Sequence, residues 1–187
     1  MTPGTEMLLI RHAPVARSGR LTGRTDLAAR IDGNAIAALA ALLPRPARVV
    51  TSPARRCADT ARALFPAVSA SVDARLWEQD FGRYDGAPLD QLPDLGPLSA
   101  TELAAYRWDG GESFDDMVDR VAPALKDLAH DGPVAIVAHA GTVRAALAGV
   151  LGATGPALAF EIAPLSLTRL TWHPAGTSIG CVNRTAP

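Results

Sequence analysis

The sequence predicts a three-layer α/β/α sandwich around a mostly parallel central sheet. Three observations predict it. Short apolar runs of the kind buried on both faces recur along the chain, helical patterns alternate with them, and a 187-residue chain that is 48% hydrophobic can bury one sizeable core. A single domain over residues 1–187 is expected, with a short insertion at about 66–111.

The first run, Met7-Leu8-Leu9-Ile10, ends at Arg11-His12 and reads as a strand delivering those residues to the carboxyl edge of the sheet, where open α/β sheets bind ligands. A loop rich in Arg, Gly, Ser and Thr follows from Pro14 to Asp26, then a helix from about Gly33 to Leu43, stopped by Pro44. Arg48-Val49-Val50-Thr51 is a second strand; Ser52 is an expected N-cap with Pro53 at the first helical position, and Ala54 to Leu64 continues as helix. Residues 66–111, with Pro66, Pro88, Pro93, Pro97 and several glycines, read as a short strand, loops and a brief helix. Glu112 to Ala129 has helical periodicity through Phe114, Met117, Val118, Val121 and Leu125. Val134 to Ala138 is a third buried strand, and Thr142 to Leu151 a helix closed by Gly152. Leu165–Trp172 and Ile179–Val182 are two more strands about a Pro-Ala-Gly turn, one of them an antiparallel edge.

Composition excludes several roles. Eighteen basic against 19 acidic residues leave a formal charge of −1, no field for nucleic acid or an acidic membrane surface, so any positive charge that matters is local. Trp77, Trp108 and Trp172 lack an accompanying basic stripe and read as packing residues. Cys57 and Cys181 have no metal-ligand spacing and read as reduced thiols. No basic segment precedes a signal-length apolar stretch, and no window reaches the roughly 18 apolar residues of a membrane helix; a cytoplasmic protein is expected.

Two strand ends, Ile10-Arg11-His12-Ala13 and Val137-Ala138-His139-Ala140-Gly141, each place a histidine at the same sheet edge. A third leads into Ser52-Pro53-Ala54-Arg55-Arg56, putting an arginine in the first turn of a helix whose amides favour an anion. Arg11, Arg56, His12 and His139 can thus surround one phosphoryl group. Backbone amides near Thr22-Gly23 and Gly141-Thr142 complete the expected cradle. His130 and His173, at a helix end and in a turn, read as structural.

With these residues in place the chain resembles the histidine phosphatase (phosphoglycerate mutase-like) superfamily. Arg11-His12-Ala13 resembles the Arg-His-Gly signature, with alanine third. Thr51 to Ala61 is similar to the Ser-Pro-Leu-x-Arg-Ala-x-x-Thr-Ala segment, which assigns its arginine to Arg56. Leu76-Trp77-Glu78-Gln79-Asp80-Phe81-Gly82 resembles the stretch carrying the acid; Gly110-Gly111-Glu112-Ser113 and His139 to Arg144 match two further segments. The resemblance implies His12 as nucleophile, forming a phosphohistidine, and Arg11, Arg56 and a protonated His139 as phosphate contacts. Glu78 is the implied general acid and base, chosen over Asp80 and Asp85 by its spacing to Gly82. No metal or cofactor is called for. Ser18 stands where relatives often carry asparagine; Arg55, Glu112 and Arg144 keep both structural and substrate-side readings; Arg24, Arg83, Tyr84 and Arg107 are rim candidates.

The resemblance further implies hydrolysis over mutase activity, because the insert is short. The loop Leu21 to Asp26 with Gly110 to Phe114 is similar to α-ribazole-5′-phosphate phosphatases and broad-specificity sugar phosphatases. A small phosphorylated metabolite is the expected partner. Mutase-type phosphotransfer, a phosphohistidine-protein phosphatase and a non-catalytic phosphate-binding relative are the alternatives.

Overall fold

The computed structural model describes residues 4–46 and 48–187. Its six-stranded sheet has the order β3-β2-β4-β1-β5-β6, with β1 at Thr5–Arg11, β2 at Val49–Thr51, β3 at Ser71–Val72, β4 at Val134–Ala138, β5 at Leu167–His173 and β6 at Gly176–Arg184. The first four run parallel; β5 is antiparallel to β1, and β6 antiparallel to β5. The reversed strand therefore lies one place inside the edge, because the turn at Pro174-Ala175 folds β6 back along β5's free side. Strand β6 runs further at both ends than the apolar stretch Ile179–Val182 implies, since its outer residues are polar, whereas β5 begins two residues later than expected, at Leu167.

Strand alternation distributes the core between two faces. Leu8, Ile10, Val49, Ala135 and Val137 pack on the side of α1 (Gly33–Ala40) and α2 (Arg55–Leu64). Met7, Leu9, Val50, Ile136 and Ala138 face α4 (Phe114–His130) and α5 (Ala140–Leu151), after the brief α3 (Ala100–Ala105) and before the single turn α6 (Thr154–Ala157). Helix starts and stops follow local chemistry. Asp32 caps α1, Ser113 and Asp116 form a reciprocal capping box on α4, and Gly152 ends α5 in the left-handed conformation at φ 70°. Helix α1 is shorter than its apolar pattern and gives way to turns after Ala40.

One start differs from expectation. The residue preceding α2 is Ala54, with no side-chain cap, and Ser52 remains in the strand exit. Its amide donates to the Val137 carbonyl at 3.2 Å, extending the ladder between β2 and β4 by one step, while its hydroxyl accepts from the Ala54 amide at 3.3 Å. The carboxyl ends of β2, β4 and β1 are consecutive in the sheet, so Ser52, His139 and His12 emerge side by side.

Candidate active site

His12 follows β1, its amide donating to the Ala138 carbonyl at 2.9 Å. The ring is buried, and its two contacts fix its tautomer. Nδ1 lies 2.7 Å from the Ala13 carbonyl, which can only accept, so Nδ1 carries the proton; Arg56 Nε, which can only donate, points at Nε2 from 3.3 Å. Nε2 is thereby left unprotonated, its lone pair accepting from Arg56. Burial pushes the His12 pKa down to about 3, helped by the Arg56 and Arg11 charges against the pull of the Ala13 carbonyl. A ring held neutral is a nucleophile at any pH near 7. Ala13, in the signature's third place, is fully buried and anchored through its amide to Thr60 Oγ1 at 2.9 Å.

Arg56 is fully buried, and among the described residues it has no carboxylate partner. Its guanidinium donates to the carbonyls of Gly23 at 2.7 Å and Thr25 at 3.0 Å, and to Nδ1 of His139 at 3.2 Å. It thus bridges the lone pairs of both histidines. An unneutralised buried cation is costly, and an arriving phosphoryl anion would relieve that cost. Arg11 donates to the Ile162 carbonyl, while its Nε is buried with no partner. Burial lowers the Arg11 pKa, and the charge of nearby Glu78 partly offsets this.

His139 is fully buried between β4 and α5. With Nδ1 accepting from Arg56, Nε2 carries the proton and donates to Ser52 Oγ at 2.7 Å. Trp77 stacks on the ring with 6.4 Å between centroids and 6° between planes, and the Arg24 guanidinium lies over the indole at 5.4 Å. Burial, then the charges of Arg56, His12 and Arg11, hold His139 well below the usual histidine range. In the absence of an anion it is neutral, and its one N–H is spent on Ser52. A contact from His139 to phosphate requires protonation at Nδ1, which a phosphoryl dianion would promote.

Glu78 lines a cleft of about 420 Å³ together with Arg11, His12, Ser18, Thr22 and Phe81. One carboxylate oxygen accepts from its neighbour's amide, Gln79 N, at 3.0 Å, the other from Gly141 N at 3.2 Å. A Cβ on Gly141 would sit 2.0 Å from Glu78 Oε1, so any larger residue at this place would displace the Glu78 carboxylate from the start of α5. The rival carboxylates are occupied elsewhere. Asp85 accepts from the amides of Gly23, Arg24 and Thr25 and from the Thr25 hydroxyl, tying down the 22–26 loop; Asp80 accepts from Gly82 N at 2.8 Å.

The expected cradle amides are accounted for differently. Gly23 N points to Asp85 and Gly141 N to Glu78, so both serve the side chains around the site; the Thr142 hydroxyl donates to the Leu76 carbonyl at 3.4 Å, away from the cleft. Thr22 does line it. Arg144 donates to the Phe160 carbonyl, and exposed Arg55 pairs with Asp59.

Two residues that sequence reasoning passed over belong to the site. Ser52 holds His139; the register pairing Thr51 with Val137 was the signal, since the next residues along both strands must be neighbours. Arg120 binds Glu112 through two contacts, 3.0 and 2.8 Å, and donates to the carbonyls of Arg75 at 2.6 Å, Trp77 at 3.1 Å and Glu78 at 3.4 Å. Glu112 in turn accepts from Asp80 N, and its carbonyl from Gln79 Nε2. This pair fastens the irregular segment carrying Glu78 to α4. Its signal was position: Arg120 lies three residues after Met117 and four before Ala124, both fully buried.

The sheet order, the helices on both faces and the ligand edge make this a phosphoglycerate mutase-like α/β/α fold. A profile of the histidine phosphatase superfamily (branch 1) matches residues 7–185, and the chain belongs to that superfamily. It is 31% identical over 166 residues to a glucosyl-3-phosphoglycerate phosphatase of Mycolicibacterium vanbaalenii, covering 78% of this chain and 74% of that one. A shorter match, 31% over 105 residues, relates it to a Caenorhabditis elegans 6-phosphofructo-2-kinase/fructose-2,6-bisphosphatase, covering 54% of this chain and 23% of that protein. Among solved structures, a mycobacterial glucosyl-3-phosphoglycerate phosphatase superposes with a TM-score of 0.85 at 25% identity over 97% of this chain and 100% of that one. An Escherichia coli structure solved as a candidate α-ribazole-5′-P phosphatase shares the fold, TM-score 0.84, at 17% identity over 98% of each chain. The protein is a phosphatase of this superfamily. Among the described residues no helix is long and apolar enough to cross a membrane.

Proposed function

We propose that the protein hydrolyses a small phosphomonoester in two displacements at His12. The observation that carries this reading is the tautomer of His12: a neutral ring, its Nδ1 proton donated to the Ala13 carbonyl, with Nε2 left unprotonated beside Arg56, which among the described residues has no carboxylate partner. In the first displacement Nε2 attacks phosphorus in line, the P–O ester bond breaks, and Glu78, in its protonated form, gives a proton to the departing alkoxide. In the second, Glu78 as carboxylate takes a proton from water, whose oxygen attacks phosphorus and releases orthophosphate and neutral His12. Arg11 and Arg56 neutralise the phosphoryl oxygens through planar donor forks, and His139 joins them once the dianion draws a proton to Nδ1. Thr22 and the 22–26 loop flank the leaving group, and Gly23, Gly141 and Thr142 position the groups that touch substrate. The scheme uses neither metal nor cofactor. The whole chain acts as one histidine phosphatase domain, the 66–111 insertion supplying the acid, in the cytoplasm. Sugar phosphates and α-ribazole 5′-phosphate are the proposed substrate range, and the relatives named as glucosyl-3-phosphoglycerate phosphatases support a sugar-derived monoester.

The test is a panel of phosphomonoesters assayed in chelator with wild type and His12→Ala. It includes α-ribazole 5′-phosphate, sugar phosphates, 3-phosphoglycerate, a phosphohistidine peptide and p-nitrophenyl phosphate. Turnover of a small monoester that disappears in His12→Ala is expected, with acid-labile phosphate trapped on the wild-type chain. Activity that needs added magnesium, or survives His12→Ala, would overturn the scheme.

A further inference from the structure

We infer that the leaving group of the substrate carries a second acidic function, and that Arg20 and Arg30 receive it. The inference rests on the phosphatase reading above. The cleft is lined by three arginines, Arg11, Arg20 and Arg30, against one carboxylate, Glu78, on a chain whose net charge is −1. Arg11 belongs with Arg56 at the phosphoryl group, and the other two stand on the leaving-group side.

Their environment sets Arg20 and Arg30 apart. Many arginines outside the cleft are neutralised: Arg55 and Arg62 by Asp59, Arg83 by Asp109, Arg107 by Asp116, Arg75 by Asp73 and Asp127. Among the described residues neither Arg20 nor Arg30 lies within ion-pair distance of a carboxylate. Arg17, Arg45, Arg144 and Arg184 also lack one, but none of them lines the cleft. The guanidinium of Arg20 and the backbone of Arg30 are each anchored on a main-chain carbonyl. Arg20 Nη1 donates to the Gly86 carbonyl at 2.6 Å, and the Arg30 amide donates to the Pro14 carbonyl at 2.7 Å, two residues beyond the nucleophile. Arg30 also lines a second cavity of about 500 Å³ that shares Pro14 and Pro164 with the first, so the leaving group has room beyond the charge it presents. Two unpaired cations flanking a leaving group discriminate for a carboxylate or a second phosphate and against a neutral polyol of the same size.

The experiment compares 3-phosphoglycerate with glycerol 3-phosphate, which share the phosphate ester and differ by carboxylate against hydroxymethyl. Values of kcat/KM, and of the inhibition constant against p-nitrophenyl phosphate, are measured for wild type, Arg20→Gln, Arg30→Gln and the double variant. Wild type is expected to favour the acid about tenfold, the lower range for a hydrogen bond to a charged group at an exposed site. Each single variant should shrink that ratio several-fold and the double variant erase it. The ratio cancels any loss common to both ligands. An acid-to-neutral ratio near one in wild type, or one that persists in the double variant, overturns the inference. Absence of hydrolysis of every ester, p-nitrophenyl phosphate included, instead overturns the phosphatase reading on which it rests.

Discussion

His12, Arg56 and His139 are held by the ends of three adjacent parallel strands and the helix that follows one of them, whereas Glu78 sits in an irregular segment held by side chains that reach into it. On the first side, sheet register sets the spacing: His12 N bonds the Ala138 carbonyl and Ser52 N the Val137 carbonyl, so these residues cannot move apart without breaking the ladder. On the second side nothing repeats. The segment 75–80 stays in place because Arg120 spans three of its carbonyls, Glu112 closes the arrangement, and Gly82 and Gly111 let two loops approach closely enough for backbone to touch backbone. In the proposed mechanism phosphoryl binding is thus built into the sheet, while proton transfer depends on a polar network. The two sides should fail differently.

Removing the acid should separate them most. Glu78→Gln is expected to lower turnover of alkyl phosphates by about 10²–10⁴-fold, the usual worth of general acid–base catalysis. The sheet-built side should still work: p-nitrophenolate leaves without being protonated, so rapid mixing with p-nitrophenyl phosphate should release one equivalent in a burst and leave phosphohistidine waiting for water. A variant with unchanged alkyl phosphate turnover would show that Glu78 is not the acid. Gly141→Ala should resemble it, because the new methyl would occupy the place of Glu78 Oε1.

Arg120→Ala tests the polar network directly. The guanidinium touches none of the reacting groups, so its loss acts through displacement of Glu78, and about 10²-fold in kcat is expected for a shift of the order of 1 Å. KM should change less. The burst with p-nitrophenyl phosphate should again survive, and Arg120→Lys should rescue little, since one ammonium cannot serve three carbonyls and a carboxylate. Equal losses of burst and steady-state rate would mean that Arg120 supports the whole fold and not the acid alone.

The same division explains what could be read from the sequence. The strand runs Met7–Ile10 and Val134–Ala138 announce themselves by continuous apolarity, and a histidine directly after each is then placed by topology alone. Glu78 was legible only through resemblance; its surroundings carry no period, and its fixing residue, Arg120, lies on a helix whose apolar stripe draws attention to Met117 and Val121 instead. Ser52 was read as a helix cap because Ser-Pro at a strand exit fits that role, but its amide continues the β2–β4 ladder and its hydroxyl accepts from both the Ala54 amide and His139. The position of β5 inside the sheet edge was out of reach for a related reason: a hairpin partner as polar as β6 leaves β5's apolar face readable and its neighbour on the far side unspecified.

The smallest effect should distinguish the sides by pH. His12 and His139 both have their pKa pushed below the ordinary 6.5 by burial and neighbouring arginines, His12 to about 3. Between those values the unfolded chain binds protons that the native rings refuse, so the native state holds its full advantage above pH 6.5 and loses it as pH falls. In that window His12 contributes a slope of about 1.4 kcal/mol per pH unit, and His139 acts in the same direction. Urea unfolding at pH 6.0 and 5.0 should show it, and His139→Gln should remove one ring's share while leaving that of His12. Saturating inorganic phosphate should remove the same share from wild type, because the anion beside Arg11 and Arg56 lets the native state accept a proton at His139. If phosphate raises stability equally at both pH values, His139 stays neutral with the site filled and the phosphoryl group is held by the arginines alone.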